Sequence, residues 1–163
     1  GKELIKECNR LKMIIDLSHL NEKGFWDIAK ISKSPLVATH SNAHSICPHT
    51  RNLTDKQLDA IKDTDGMVGV NFAPAFLRPD GKMLADTNLE IIIRHFDYLI
   101  EHLGEDRVGF GSDFDGALMP NQIKDVTDLD KIRLLMKNHG YNQELMNKLC
   151  QDNWINLIKK IIN

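Results

Sequence analysis

Apolar residues along the 163-residue chain fall into short continuous runs separated by stretches with helical spacing. The runs at 13–18, 36–40, 67–72 and 107–112 are short, apolar and rich in β-forming residues, and they predict four strands. Between them Leu4, Ile5, Cys8 and Leu11 recur at three and four, which predicts a helix over 2–11. Asn21 can cap a second helix running to Ile31, with Phe25, Ile28 and Ala29 on one face and Pro35 ending the connection. Thr54 followed by Gln57 is a near capping box for a helix to about Lys62. A long helix from about Thr87 to Leu103 carries the stripe Leu89, Ile92, Ile93, Phe96, Leu99 and Ile100, and Gly104 stops it. From Leu129 onward the pattern gives two or three helices with Trp154, Leu157, Ile158 and Ile161 as a packing face.

Strands alternating with helices predict an α/β domain with a parallel sheet. Two architectures satisfy the pattern: a small doubly wound sheet, or half of a TIM-type (β/α)8 barrel made of four βα units plus C-terminal helices. In a barrel the strand ends converge on one pocket, whereas a flat sheet spreads them along a line. No glycine-rich phosphate fingerprint follows any strand, which weakens the nucleotide-binding form of the flat sheet.

The length predicts one domain over 1–163. With 21 basic against 23 acidic residues and no long single-sign run, the chain has no electrostatic footprint for nucleic acid or anionic membrane. No stretch approaches the roughly 20 apolar residues of a spanning helix, so no membrane segment is expected. Three scattered cysteines (Cys8, Cys47, Cys150) without a Cys-x-x-Cys indicate neither a disulfide framework nor a thiolate metal knuckle, and a reducing, cytoplasmic compartment is the expectation. Gly1 before a helix that starts in mid-stride points to a chain cut from something longer.

The chemistry gathers at the predicted strand ends. His19 closes the first run and His40 the second, with one helix between them. Parallel strands joined by a helix point the same way, so both imidazoles are expected at one edge of the sheet as half of a metal site. Either histidine alone is as readily explained by a hydrogen bond to a loop; the matched pair favours metal. The fourth run ends in Gly109-Phe-Gly-Ser-Asp-Phe-Asp-Gly116, where a turn accounts for Asp115 and Gly116 but not for Asp113, the carboxylate delivered to the pocket. Such a carboxylate can take a proton from water and return it to a leaving amine. Arg51 lies in the loop after the second strand; most arginines there are simply solvated, yet its planar fork suits a carboxylate. Asn71 either lines the pocket or pairs with backbone.

These residues sit in four ordered blocks that resemble the C-terminal half of the renal (membrane) dipeptidase family, zinc-dependent amidohydrolase-like barrels. The blocks are Asn9 to His19, Thr39 to Ala43, Arg51 to Asp55 and Gly109 to Gly116. The resemblance implies hydrolysis of dipeptides, with His19 and His40 binding one of two zinc ions, Arg51 gripping the substrate carboxylate and Asp113 acting as acid/base. It implies as well that a His-x-Asp pair, a bridging Glu and a further His belong to segments this chain lacks. The isolated chain is therefore expected to be inactive and to require a missing N-terminal half-barrel or self-association. Lys12 stands where relatives carry Gly, and a left-handed conformation there would cost about 1 kcal/mol. A related metal amidohydrolase with another amide or ester substrate, and a non-catalytic half-barrel subunit, are the alternatives.

Overall fold

A computed structural model describes residues 1–162. Strands β1 (Val37–Ala38), β2 (Met67–Val70) and β3 (Val108–Phe110) form one parallel sheet in the order β1-β2-β3, with no reversal in the order. Val37 pairs with Met67, and Val68 with Val108. Helices α1 (Lys2–Arg10), α2 (Glu22–Ala29), α3 (Asp55–Asp63), α4 (Pro74–Leu77) and α5 (Glu90–Leu103) alternate with the strands, and α6 (Leu129–His139), α7 (Gln143–Asn147) and α8 (Asn153–Ile162) follow. No helix among the described residues is long and apolar enough to cross a membrane.

Local signals set these elements. The Asn21 side chain accepts from the Gly24 N–H at 2.8 Å and starts α2. Gln57 Oε1 accepts from the Thr54 N–H at 2.9 Å and starts α3. Gly104, at φ 84°, ends α5 in a conformation that disfavours any side chain. The α5 stripe then packs on β2 and β3, burying Ile92, Ile93, Phe96 and Leu99, with Phe96 tilted against Phe110 at 5.5 Å. At β3 the Val108 and Phe110 carbonyls accept from Asn153 Nδ2 (2.8 Å) and Trp154 Nε1 (2.9 Å), so side chains from the start of α8 satisfy backbone groups that another strand would otherwise pair.

The first predicted strand is a correction. Residues 13–18 contribute a single parallel bridge, Asp16 to Val37, with the Leu17 N–H donating to the Val37 carbonyl at 2.9 Å. The sheet accordingly has three strands where the pattern predicts four. The reason is local: Asp16 Oδ1 accepts from the backbone N–H groups of Ser18 and Thr39, each at 3.0 Å, so a side chain takes donors that a ladder would have used. Two smaller differences accompany it. Pro74–Leu77 is a short helix between the 67–72 run and the helix near Thr87, where the pattern predicts no element, and the proline at its first turn starts it. Ile158, placed on the packing face of α8 by its spacing, is exposed, while Leu157 and Ile161 are buried. Lys12 adopts φ 57°, the left-handed turn expected where α1 hands over to residues 13–18.

Candidate active site

The ends of 13–18, β1, β2 and β3 meet at one edge of the sheet. His19 Nε2 lies 2.9 Å from His40 Nε2, and Arg51 Nη2 lies 3.4 Å from His19 Nε2 and 3.5 Å from the His40 carbonyl. Asn71 Nδ2 donates to Asp113 Oδ2 at 3.0 Å and approaches the His40 carbonyl at 3.4 Å, tying the carboxylate to the same edge. The four residues singled out by the sequence are therefore neighbours. The His44 backbone N–H donates to the Leu53 carbonyl at 2.9 Å and holds the loop that carries Arg51.

The hydrogen bonds fix how His40 presents its ring. Asp16 Oδ2 is an acceptor only, so the Thr39 hydroxyl donates to it. The Thr39 oxygen, 2.7 Å from His40 Nδ1, then accepts the Nδ1–H. His40 Nε2 is left with its lone pair directed at His19, the orientation a metal ligand needs, with a carboxylate behind it through a hydroxyl. Partial burial pushes the His40 imidazole below its ordinary range; the Asp113 and Asp16 carboxylates oppose this, and the Arg51 and His19 charges reinforce it. The ring is consequently neutral at pH 7. For Asp16, burial acts upward, but four hydrogen bonds from Thr39 and Ser18 outweigh it and hold the carboxyl below the usual carboxylate range.

Arg51 is held from below. Its guanidinium lies over the Phe76 ring at 5.3 Å, and its backbone N–H donates to His49 Nδ1 at 3.1 Å. Burial pulls its pKa down, opposed by Asp113 and Asp16, yet a guanidinium starts high enough to stay charged. Nη1 is buried with no hydrogen-bond partner among the described residues, and the Nη2 contacts are at the limit of hydrogen bonding. The cation thus keeps donors in reserve for an anion.

Asp113 and Asp115 both sit at positive φ, 62° and 63°, an arrangement uncommon for residues other than glycine and concentrated at functional turns. Gly116 permits it, since a Cβ there would come within 2.3 Å of Asp113 Oδ1.

The two imidazole nitrogens fit part of a zinc site. Tetrahedral zinc with Zn–N bonds of about 2.0–2.1 Å sets two ligand nitrogens about 3.3 Å apart, and the 2.9 Å separation needs only a small outward shift. A third ligand is absent from the cluster: among the described residues no group of three or more His, Cys, Asp or Glu side chains is placed to hold a metal ion.

Sequence reasoning did not single out Asp16 and Thr39, and it left Asn71 undecided. The Asp16-Leu-Ser18 spacing of an Asx-type turn and the hydroxyl preceding His40 were the available signals; the pairing of Asp16 with Thr39 across 23 residues had none.

Comparisons with known proteins place the chain in a family. The family model of membrane dipeptidase, peptidase family M19, matches residues 1–163. An uncharacterized protein in the pqqA 5′ region of Klebsiella pneumoniae is 53% identical over 161 residues, covering 99% of this chain and 59% of the relative. Dipeptidase tcpJ of Claviceps purpurea is 31% identical over 164 residues, covering 99% of this chain and 37% of the relative. The crystal structure of a metallo peptidase from Rhodobacter sphaeroides, liganded with a phosphinate mimic of the dipeptide L-Ala-D-Ala, is 56% identical with a TM-score of 0.97, over 99% of this chain and 46% of that one. The chain spans between 37% and 59% of the length of these relatives. With a family match along the whole sequence and the strand-end histidines, arginine and aspartate gathered at one edge, the chain belongs to the membrane dipeptidase family.

Proposed function

We propose that this chain forms one side of the active site of a zinc-dependent dipeptidase. The observation that carries the reading is the convergence of His19, His40, Arg51 and Asp113 on one edge of a parallel sheet, within a chain of the membrane dipeptidase family. The sequential order of residues 13–18, β1, β2 and β3 supports four units of a (β/α)8 barrel, with 13–18 standing first and held to β1 by its one bridge. Two zinc ions per complete site are proposed, His19 and His40 holding one of them. Because a catalytic zinc typically takes three protein ligands, the remaining ligands come from an N-terminal half-barrel or from a second copy. This same requirement makes the isolated chain inactive.

Bound zinc supplies Lewis-acid polarisation of the scissile carbonyl and a water acidic enough to react at neutral pH. The chain's own residues do the rest. Arg51 takes the free carboxylate of the substrate in its fork, which selects short peptides ending at that position. Asp113 accepts a proton from the attacking water as the new C–O bond forms, and gives it to the leaving nitrogen as the C–N bond breaks. His40 stays neutral, oriented by Thr39 and Asp16. The phosphinate bound by the Rhodobacter sphaeroides relative supports dipeptides, including those ending in a D-residue, as the substrate class here.

In the complete protein Asp113→Asn should lower kcat by about 10²–10⁴-fold with zinc content retained. Zinc assay and dipeptide turnover check it; undiminished turnover overturns the role of Asp113. Substrates with an amidated C-terminus should lose kcat/KM, and equal rates for amide and acid would point to a metal amidohydrolase of other specificity.

A further inference from the structure

Three buried asparagines run behind the active-site edge, from the loop carrying Arg51 to the end of β3. Asn52 Nδ2 donates to the carbonyls of Cys47 (2.9 Å) and Phe76 (2.8 Å), and Asn52 Oδ1 accepts from the Asn42 N–H at 3.3 Å. The Asn42 side chain then pairs with the backbone of Asn71 on both sides, Oδ1 accepting from the Asn71 N–H at 2.9 Å and Nδ2 donating to the Asn71 carbonyl at 2.9 Å. A carboxamide here makes the two bonds a neighbouring strand would make, just past the point where the β1–β2 ladder ends.

The Asn71 carboxamide can face only one way. Its Oδ1 accepts from the Ala73 N–H at 2.7 Å, which leaves Nδ2 directed at Asp113 Oδ2 (3.0 Å) and the His40 carbonyl (3.4 Å). Asn71 and Asn42 are wholly buried, so the donor is rigid and dry. Asp113 needs such a restraint, because its backbone holds the uncommon φ of 62° and it lies past the end of β3, just before the turn at 114–116, without ladder bonds.

We propose that Asn71 is the positioning residue for Asp113, its Nδ2–H holding Oδ2 so that the carboxylate keeps one orientation toward the reacting atoms, with Asn42 as the clamp on Asn71. This rests on the reading of Asp113 as the acid/base. Asn71 touches no substrate; it acts through Asp113. A purely structural role would give a different signature, since losses of stability multiply with a loss of chemistry rather than vanish with it.

The test is a double-mutant cycle in the complete zinc-loaded protein. Asn71→Ser keeps a hydroxyl able to accept from Ala73 but cannot reach Asp113. It should lower kcat about 10- to 100-fold with KM within about twofold and zinc content unchanged. In an Asp113→Asn background the same substitution should change the residual rate by less than about twofold. Asn71→Asp, isosteric but with a second carboxylate facing Asp113, should lose at least as much as Asn71→Ser. If Asn71→Ser multiplies with Asp113→Asn, or changes KM and not kcat, the positioning role is overturned. If Asp113→Asn alone leaves kcat intact, the reading of Asp113 fails instead. Should the variants not fold, the side-chain amide resonances of Asn71 in the otherwise native protein decide: they should move on Asp113→Asn, and unmoved signals reject the contact.

Discussion

The two flanks of the sheet differ in how they are held. On the β2–β3 flank a ladder is backed by α5, with Phe96 and Ile92 wholly buried and the carbonyls of β3 satisfied by Asn153 and Trp154. On the 13–18 flank one bridge holds the segment, Asp16 substitutes for a ladder, and Met13 and Ile14 are 53% and 38% exposed. The candidate site straddles this seam: Asp113 and Asn71 stand on the packed flank, His19 on the open one, and His40 between them. The fixed half of the site is thus built by one packing unit of the chain, and the half that holds His19 rests on a single bridge and on the hydrogen bonds of Asp16.

The contrast is sharpest in the core. Phe96→Ala should cost about 3–5 kcal/mol, because the ring is fully enclosed and leaves a cavity among Ile92, Leu99 and Phe110; chemical denaturation measures it, and a loss below about 1 kcal/mol would mean the packed flank is looser than its burial indicates.

His95 gives the packed flank a pH dependence. Its Nδ1 accepts from the Ala43 N–H at 3.2 Å and its Nε2 donates to the Leu77 carbonyl at 3.0 Å, both satisfied by the neutral ring. Burial pushes the imidazole down to about 4, with the Leu77 carbonyl opposing and Arg94 reinforcing. The folded value lies below the unfolded one, so above pH 6.5 the group costs nothing. Below it the unfolded chain takes a proton the folded chain refuses, and stability falls by about 3 kcal/mol between pH 6.5 and 4. His95→Gln should flatten that slope in denaturation curves; an unchanged slope would assign it to other groups.

Asp16 gives the open flank a separate signature. Its carboxyl is held below the ordinary range, so its contribution is complete above about pH 4 and disappears only as pH falls through the lower folded value. At neutral pH Asp16→Ala should cost about 1–2 kcal/mol through lost charge-assisted hydrogen bonds. In the complete protein it should also weaken retention of the proposed zinc, because His40 loses the carboxylate that, through Thr39, directs its Nε2; unchanged zinc affinity in a dialysis titration would argue that Thr39 alone sets the ring. Smallest of all, Met13→Ser should change the stability of this chain by less than about 0.5 kcal/mol, given its exposure. A larger loss would show the edge already covered, by self-association for instance.

Much of this was legible before any coordinates. Helix starts at Asn21 and Thr54, the stop at Gly104 and the α5 stripe are local, decided by residues three or four apart, and they fall where the pattern puts them. That His19, His40 and Asp113 meet at one edge was legible too, because each follows a predicted parallel run. The strand at 13–18 was overcounted: its β-rich composition is real, but a strand exists only with a partner on each needed edge, and Asp16 diverts the donors that would have formed one.

The order of elements, the parallel direction of the strands and the candidate chemistry at their tips were determined by the sequence alone, since each depends on near neighbours and on the handedness of a βα crossover. Only the tertiary structure decided that the Asp16 carboxylate reaches Thr39 to set the tautomer of His40, and that Asn42 and Asn71 stand behind Asp113. Those contacts join residues 23 to 42 positions apart, and a hydrogen bond is satisfied by distance and angle in space, for which a linear pattern carries no sign.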